Sequence, residues 1–449
     1  MNGLVAGFAH LLRPESAKDL LLRFVPEFRE DRLQIHGCEI LRTQFKTFAK
    51  PSSQAKTVLS LCYKLSCVAQ HEQQAREHML VLKAFREGRS KSAFAGYAAP
   101  PLPARQNAVG HIPALDALYW FFPNDPELPH LREVFDPQLV KKYLPYEKLP
   151  ATIDQPNKIA QLERNIVHYY PEQRCTSRYE LLAGTQSQST FIYGKTLKHD
   201  HARNLYERMR RIEEISRAWQ EGFAIAPALG YNEIAKTIWT AALPGKKFAL
   251  ALNRSTEDVL LEQVAKGLAR LHQSEIAIDA EVDYNTHLPE LEKKIDKLNA
   301  AFPDLCEHTS RLLAELRTTA PRASDLPVRL LHGDFQLHQL VVAENRIALF
   351  DFDEMALGDP MLDLASFMVD LWLHDPERAE TRGRIFYRNY CSHVAWEVSP
   401  ARLQWYLKLH CLTKAYRELT YRLHQLALYR TVDQLINIAH AISSFAFLQ

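Results

Sequence analysis

The stretch LLHGDFQLHQLVVAENRIALFDFDEMALGDPMLDLASF, residues 330–367, decides the fold of this chain. A short apolar strand ends at His332-Gly333-Asp334, and a second apolar strand ends at Asp351 and Asp353. Burying a carboxylate without a partner is costly, so these aspartates are expected to meet positive charge where the strands end. The alternative is a solvated acidic hairpin, but the flanking strands are too apolar for a surface hairpin.

The spacing of these residues resembles the catalytic core of the aminoglycoside phosphotransferase and choline kinase superfamily, which shares its lobed architecture with protein kinases. The resemblance is carried by HGDFQLHQL at 332–340 and by LFDFDEMALGDPMLDLA at 349–365. The chain departs from the family pattern at Gln339, where Asn is usual. The resemblance covers roughly residues 155–440.

This resemblance implies a kinase that uses ATP and Mg²⁺. Phosphoryl transfer needs a carboxylate beside the attacking hydroxyl and metal to neutralise the charge of the triphosphate. Asp334 is then the catalytic base, and Asp351 and Gln339 are the metal ligands. Asp353 is expected to contact a second metal or the substrate.

Three further residues of the motif are predicted to have structural roles. His332 is expected to bond the backbone around the catalytic turn, because a histidine in such a place more often supports structure than catalyses. Asp363 is expected to be a buried acceptor for the same loop, and Asp359 a turn residue before Pro360.

The resemblance places the small lobe ahead of this core. Lys195, in the strand predicted at 190–197, matches the lysine that binds the α- and β-phosphates of ATP. The helix predicted at 202–219 is expected to offer it a glutamate, for which we select Glu213, with Glu207 and Glu214 left open. The alternative for Lys195 is a strand lysine whose ammonium reaches solvent at a sheet edge.

Two connections complete the predicted nucleotide site. The hinge that leaves the small lobe matches residues 238–245, where Ala242 and Leu243 are expected to pair with adenine through backbone groups. The acidic residue usual before Leu-Pro-Gly is replaced by alanine there. The turn at 184–189 is predicted to cover the phosphates, although it has a single glycine.

The predicted fold class is α+β, a two-lobed protein-kinase-like fold with an additional N-terminal β-rich cap domain. Residues 1–150 form the α/β cap, residues 151–245 the small lobe, and residues 246–449 the helical large lobe. The residues around Lys83 echo those around Lys195, so the cap is expected to be a diverged repeat of the small lobe. Such an extension is similar to bacterial maltokinase-type proteins, which favours a sugar acceptor.

Composition excludes several other classes of protein. The 449 residues carry 55 Lys and Arg against 53 Asp and Glu, and no basic run indicates a nucleic-acid partner. The seven cysteines are scattered without metal-ligand spacing, which indicates a reducing compartment. The N-terminus resembles neither a secretory signal nor a membrane span, so the cytoplasm and no membrane partner are expected.

The predicted function is phosphorylation of a hydroxyl on a sugar or an amino sugar, with an aminoglycoside or an amino alcohol such as choline next. The alternative is a catalytically weak pseudokinase that binds nucleotide and a protein partner, as Gln339, the glycine-poor turn and the altered hinge would favour. A kinase that acts on proteins is a weaker alternative, because residues 351–363 are too few for an activation segment. The oligomeric state is not predicted.

Overall fold

The computed structural model describes residues 3–30, 33–47, 56–69, 74–98, 109–184, 189–198, 201–219, 221–322, 326–343 and 346–448. The predicted α+β class is confirmed, with a β-rich N-terminal half and a helical C-terminal half. Among the described residues, no helix is both long and apolar enough to span a membrane.

The N-terminal part has short helices around one antiparallel sheet. Its elements are α1 Gly3–Ala6, α2 Pro14–Phe24, α3 Pro26–Glu30, β1 Leu33–Lys46, β2 Val58–Ala69, β3 Arg76–Ala84, α4 Arg89–Ala98, β4 Gly110–Ile112, β5 Ala117–Phe121 and α5 Leu131–Phe135.

The small lobe is a second antiparallel sheet with one long helix. Its elements are β6 Ile159–Tyr170, β7 Arg174–Ala183, β8 Thr190–Leu197, α6 His201–Ser216, β9 Ala224–Ile225, β10 Ala228–Asn232 and β11 Thr237–Ala241. Alternate residues of β7 are buried along its whole length, which is the period-two pattern of a strand with one face against a core.

The large lobe is mainly helical and carries two small sheets at its cleft side. Its elements are β12 Lys246–Lys247, α7 Phe248–Ala251, α8 Glu257–His272, α9 His287–Ala301, α10 Cys306–Thr318, β13 Arg329–Leu331, β14 Leu340–Ala343, β15 Arg346–Leu349, β16 Ala356–Gly358, α11 Met361–His374, α12 Ala379–His393, α13 Pro400–Tyr421 and α14 Leu428–Ala441.

The two large sheets share one topology. The first has the order β1-β2-β3-β5-β4, and the second, read from β6, has the order β6-β7-β8-β11-β10. Within each sheet we number the five strands by their order along the chain. In both sheets these strands then lie side by side in the order first, second, third, fifth and fourth. A helix, α4 or α6, follows the third strand in each case.

The register of the two sheets also corresponds. Lys83 lies opposite Leu118 in the first sheet, and Lys195 lies opposite Ile238 in the second. In both sheets the residue just before the fifth strand has a left-handed backbone, with φ of 46° at Asp116 and 47° at Lys236. These matches support the predicted repeat, with Lys83 at the position of Lys195.

The N-terminal sheet packs directly on the small lobe. Trp120 of β5 is fully buried between the sheets, and its indole N–H donates to the Tyr169 hydroxyl at 3.1 Å. The aromatic residues Tyr119, Trp120 and Phe121 belong to β5, which pairs with strands on both sides. Its side chains help to join the two sheets into one body.

Candidate active site

The ends of two neighbouring segments bring the predicted acidic residues together. Asp334 follows β13, and Asp351 follows β15, which pairs with β14. The Phe350 N–H donates to the Gln339 carbonyl at 3.1 Å, so Gln339 lies beside the start of the Asp351 turn. Asp351 itself has a left-handed backbone, with φ of 64°.

The catalytic loop is held from beneath by a buried carboxylate. Asp363, at the start of α11, accepts the N–H groups of His332 at 2.7 Å and Gly333 at 2.9 Å. The His272 ring lies 3.2 Å from the same carboxylate, and His332 donates through Nε2 to the Phe350 carbonyl at 2.8 Å. Asp363 and His332 thus both bond backbone groups of the two acidic loops.

Gly333 allows this loop to pass close to the turn after Asp351. Its φ is 87°, and a Cβ atom there would lie 2.0 Å from the carbonyl oxygen of Glu354. A side chain at this position would push the two acidic loops apart.

Lys195 projects from the small lobe onto both aspartates of the large lobe. Its Nζ lies 2.7 Å from Asp351 Oδ1 and 2.5 Å from each carboxylate oxygen of Asp353. Arg174, at the start of β7, lies 2.6 Å from Asp353 Oδ2. Burial raises the pKa of the Asp351 carboxyl, but the Lys195 and Arg174 charges outweigh it and lower that pKa overall.

Asp334 is surrounded by hydrogen-bond donors. Its Oδ1 accepts from Arg417 at 3.1 Å and from the Gln336 amide, and its Oδ2 accepts from the Gln339 amide at 3.3 Å. Burial raises the pKa of the Asp334 carboxyl, but Arg417 and these donors lower it overall. The side chain is therefore a carboxylate at neutral pH.

Gln339 mainly closes the catalytic loop. Its side-chain oxygen accepts the Gln336 N–H at 3.0 Å while its amide faces Asp334. An amide oxygen has two lone pairs, so the Gln339 oxygen can still bind a metal as predicted. It would be a weaker metal ligand than the carboxylates. Asp370, which the motif did not single out, also supports this loop, because it accepts the Leu337 N–H at 2.9 Å.

The predicted pair of Glu213 with Lys195 is wrong. Glu213 accepts the Ala228 N–H at 2.9 Å and pairs with Arg217 at 2.6 Å, because its side chain turns from α6 toward β10. Of the alternatives, Glu207 lies 3.6 Å from Arg210, and Glu214 is exposed. Lys195 takes its carboxylate partners from the large lobe instead.

The turn predicted to cover the phosphates, at 184–189, falls mainly on residues 185–188, which lie outside the described residues. Leu181 lies opposite Thr190 beside this turn, whereas Lys195 lies opposite Thr176 near the other end. The connection that lies beside the cleft is the one between β6 and β7, at residues 171–173.

The hinge prediction needs one change. Residues 242–245 link β11 to β12 and so connect the two lobes, as expected. The Ala242 N–H, however, donates to the Phe191 carbonyl at 3.1 Å, so this donor is already used within the sheet. Adenine pairing would therefore depend on other backbone groups, of which Leu243 is the predicted one.

The acidic residues fit a metal that is shared with a nucleotide. Within the described ranges, no three His, Cys, Asp or Glu side chains form a metal-binding group. Mg²⁺ at phosphate sites typically needs one or two carboxylates, since phosphates and water supply the remaining ligands. Asp351 and Asp353, which share the Lys195 ammonium, meet that requirement.

Comparison with known proteins defines the class of this chain. Residues 180–399 match the model of the phosphotransferase enzyme family. This match covers just under half of the chain, and the protein is an enzyme that transfers phosphate to a hydroxyl group, with a two-lobed kinase-like fold. A search of curated proteins finds no match.

Solved structures of small-molecule kinases are similar at low sequence identity. An ADP-bound aminoglycoside phosphotransferase is 17% identical, with 66% of this chain and 98% of the other covered and a TM-score of 0.42. A choline/ethanolamine kinase family protein from Mesorhizobium loti is 14% identical, with 68% and 96% covered and a TM-score of 0.44. A choline kinase from Cryptosporidium parvum Iowa II is 10% identical, with 67% and 93% covered and a TM-score of 0.47. The predicted likeness of residues 1–150 to maltokinase-type proteins is not confirmed by these matches.

Proposed function

We propose that this enzyme transfers the γ-phosphoryl group of ATP to a hydroxyl of a sugar or an amino sugar. The observation that carries this proposal is the meeting of Lys195 with Asp351 and Asp353, beside a loop that holds Asp334. A cation from one lobe and carboxylates from the other are the elements that phosphoryl transfer requires.

In this proposal each side chain acts in the protonation state that its surroundings favour. Asp334 has a lowered pKa and so is free of a proton at neutral pH, ready to accept or orient the hydroxyl of the acceptor. Lys195 moves from the two aspartates to the phosphates of the nucleotide. Asp351 and Asp353, with Gln339 as a further oxygen donor, would hold Mg²⁺, which supplies positive charge beside the triphosphate.

The cleft position of the hinge supports nucleotide binding in the same proposal. Residues 242–245 join the lobes, and Leu243 is the backbone group that we propose for adenine. We also propose a cytoplasmic location, because the seven cysteines are scattered along the sequence in the manner of a protein from a reducing compartment.

The test is ATP consumption with a panel of sugars, amino sugars and amino alcohols. Asp334→Asn should lower kcat by a factor on the order of 10²–10⁴, because a positioned base contributes about that much. The same substitution at the exposed Asp304 serves as the control and should change nothing. Nucleotide binding by the wild-type enzyme without turnover of any acceptor would favour the pseudokinase alternative, and full activity of Asp334→Asn would overturn the role of Asp334.

A further inference from the structure

Three arginines, one from each part of the chain, converge beside the proposed catalytic base. Arg42 comes from β1, Arg174 from β7 and Arg417 from α13, and they surround Tyr170 and Tyr421. The Arg42 guanidinium carbon lies 3.4 Å from the centroid of the Tyr170 ring and 5.4 Å from that of Tyr421. We call these five residues the arginine–tyrosine cluster.

The cluster reaches the reacting end of the cleft. Arg417 Nη1 lies 3.1 Å from Asp334 Oδ1, and Tyr421 follows it one helical turn later on α13. The Tyr170 and Tyr421 rings are 6.4 Å apart and nearly perpendicular, so Arg42 and Arg417 face the same pair of rings. An acceptor whose hydroxyl reaches Asp334 would therefore approach Arg417 and, through it, the rest of the cluster.

The charge of the cluster is only partly neutralised by protein carboxylates. Arg174 pairs with Asp353 and Arg417 with Asp334, but across the described ranges Arg42 has no carboxylate within ion-pair distance. Burial raises the pKa of the Tyr170 hydroxyl, yet Arg42 and Arg174 lower that pKa overall. The charge around this hydroxyl is therefore mainly positive.

Two neighbouring groups must be weighed against this charge. Lys294 of α9 faces Arg417 and adds a further positive charge, although burial lowers its pKa. Glu354 lies near Asp334 and Asp353, and partial desolvation together with these two carboxylates raises the pKa of its carboxyl. Glu354 is thus the group that a cationic acceptor would use.

We propose that the acceptor carries an anionic group, a carboxylate or a phosphate, and that Arg417 and Arg42 bind it. This deepens the proposed kinase function and rests on it. An anion would draw Arg417 away from Asp334 and so leave that carboxylate free for the hydroxyl proton. A cationic acceptor would instead bring like charges together at the cluster. The structure thus favours a sugar acid or a sugar phosphate over an amino sugar.

The experiment compares acceptors that share one ring and differ in charge: glucuronate, glucose 6-phosphate, glucose and glucosamine. ADP formation gives kcat/KM, and calorimetry with a non-hydrolysable ATP analogue gives acceptor binding. An anionic member should exceed glucose by about tenfold or more in both measurements, and glucosamine should be the poorest. The two anionic members distinguish a carboxylate from a phosphate.

Charge variants test whether the cluster produces this preference. Arg417→Gln should abolish it, Arg417→Lys should retain part of it, and Arg42→Gln should raise the KM for the anionic acceptor alone. Arg422→Gln is the matched control, because Arg422 is exposed at the end of the same helix and pairs with Glu418. Its preference should equal that of the wild type.

The outcomes separate this inference from the proposed function. Preference for glucosamine, or an anion preference that survives Arg417→Gln, overturns the inference while turnover of any acceptor still supports the kinase function. If no acceptor causes ATP consumption, the proposed function fails, and calorimetry alone decides the inference. Equal or absent binding of all four acceptors then overturns it.

Discussion

At the scale of single residues, Lys195 is the side chain whose contacts define the cleft. Its ammonium neutralises Asp351 and Asp353, two carboxylates that would otherwise repel each other in a half-buried site. The same cation is available to the phosphates of a nucleotide once Mg²⁺ binds the aspartates. Lys195 thus stabilises the two aspartates when no nucleotide is bound, and it takes part in the proposed chemistry when a nucleotide is bound.

Replacing Lys195 with methionine should therefore lower kcat/KM for ATP by about 10²–10³, because one preorganised donor to the reacting phosphates is lost. Steady-state kinetics with ATP as the varied substrate measures this effect. Lys198→Met is the control, since Lys198 lies three residues further and pairs with Glu127 at 3.1 Å. A Lys195→Met enzyme within about threefold of the wild type would remove Lys195 from the phosphate site.

At the scale of elements, the large lobe depends on a buried ion pair between two helices. Glu257 at the start of α8 pairs with Arg382 of α12 at 2.9 Å and also with Arg378, and both Glu257 and Arg382 are almost completely buried. A carboxylate at a helix N-terminus is also favoured by the helix dipole. This pair positions α8, whose other end carries His272 to Asp363 beneath the catalytic loop.

Glu257→Gln should lower the free energy of unfolding on the order of 3 kcal/mol at pH 7, because the buried Arg382 guanidinium loses the more buried of its two carboxylate partners and keeps only Asp375 at 3.1 Å. Burial raises the pKa of Glu257, but the two arginines lower it overall, below the ordinary glutamate value of 4.5. The contribution is therefore complete above about pH 4.5 and is lost as the pH falls through the lower pKa of the folded state. Urea unfolding at pH 7 and at pH 3.5 measures the change.

The control for this prediction is Glu290→Gln, which removes an exposed pair with Lys293 and should cost about 0.5 kcal/mol or less. If Glu257→Gln and Glu290→Gln have equal effects at pH 7, the buried pair does not hold α8 to α12. If Glu257→Gln lowers the free energy of unfolding by the same amount at pH 3.5 as at pH 7, the loss comes from packing and not from charge.

Local patterns of sequence predicted the strands and their terminal aspartates, because strand periodicity and motif spacing are local properties. Glu213 was chosen by its distance along the chain, but which side of α6 meets β8 depends on tertiary packing that spacing does not encode. Arg417 is 83 residues from Asp334, and Arg42 lies in another sheet. No local pattern could join such partners, so the cluster beside the base emerged only from the structure.

At the scale of the whole molecule, the two sheets use corresponding lysines for different purposes. Lys195 binds the aspartates of the cleft, whereas Lys83 binds both carboxylate oxygens of Glu172 at 2.8 Å. Glu172 lies in the β6–β7 turn, two residues before Arg174, and its N–H donates to Asp125 at 2.8 Å. The N-terminal sheet therefore holds the turn that carries Arg174 to the cleft.

Lys83→Met should consequently impair catalysis from outside the cleft, because Glu172 would be left half-buried without its cation and the turn would loosen. We expect kcat/KM for ATP to fall about tenfold and the free energy of unfolding to fall by about 2 kcal/mol. A double-mutant cycle with Glu172→Gln should give a coupling of about 1–3 kcal/mol, because the two side chains act on each other. Lys64→Met removes an exposed pair with Glu77 on the same sheet and should leave both quantities nearly unchanged. Wild-type kinetics in Lys83→Met, despite a loss of stability, would mean that the small lobe positions Arg174 without help from the N-terminal sheet.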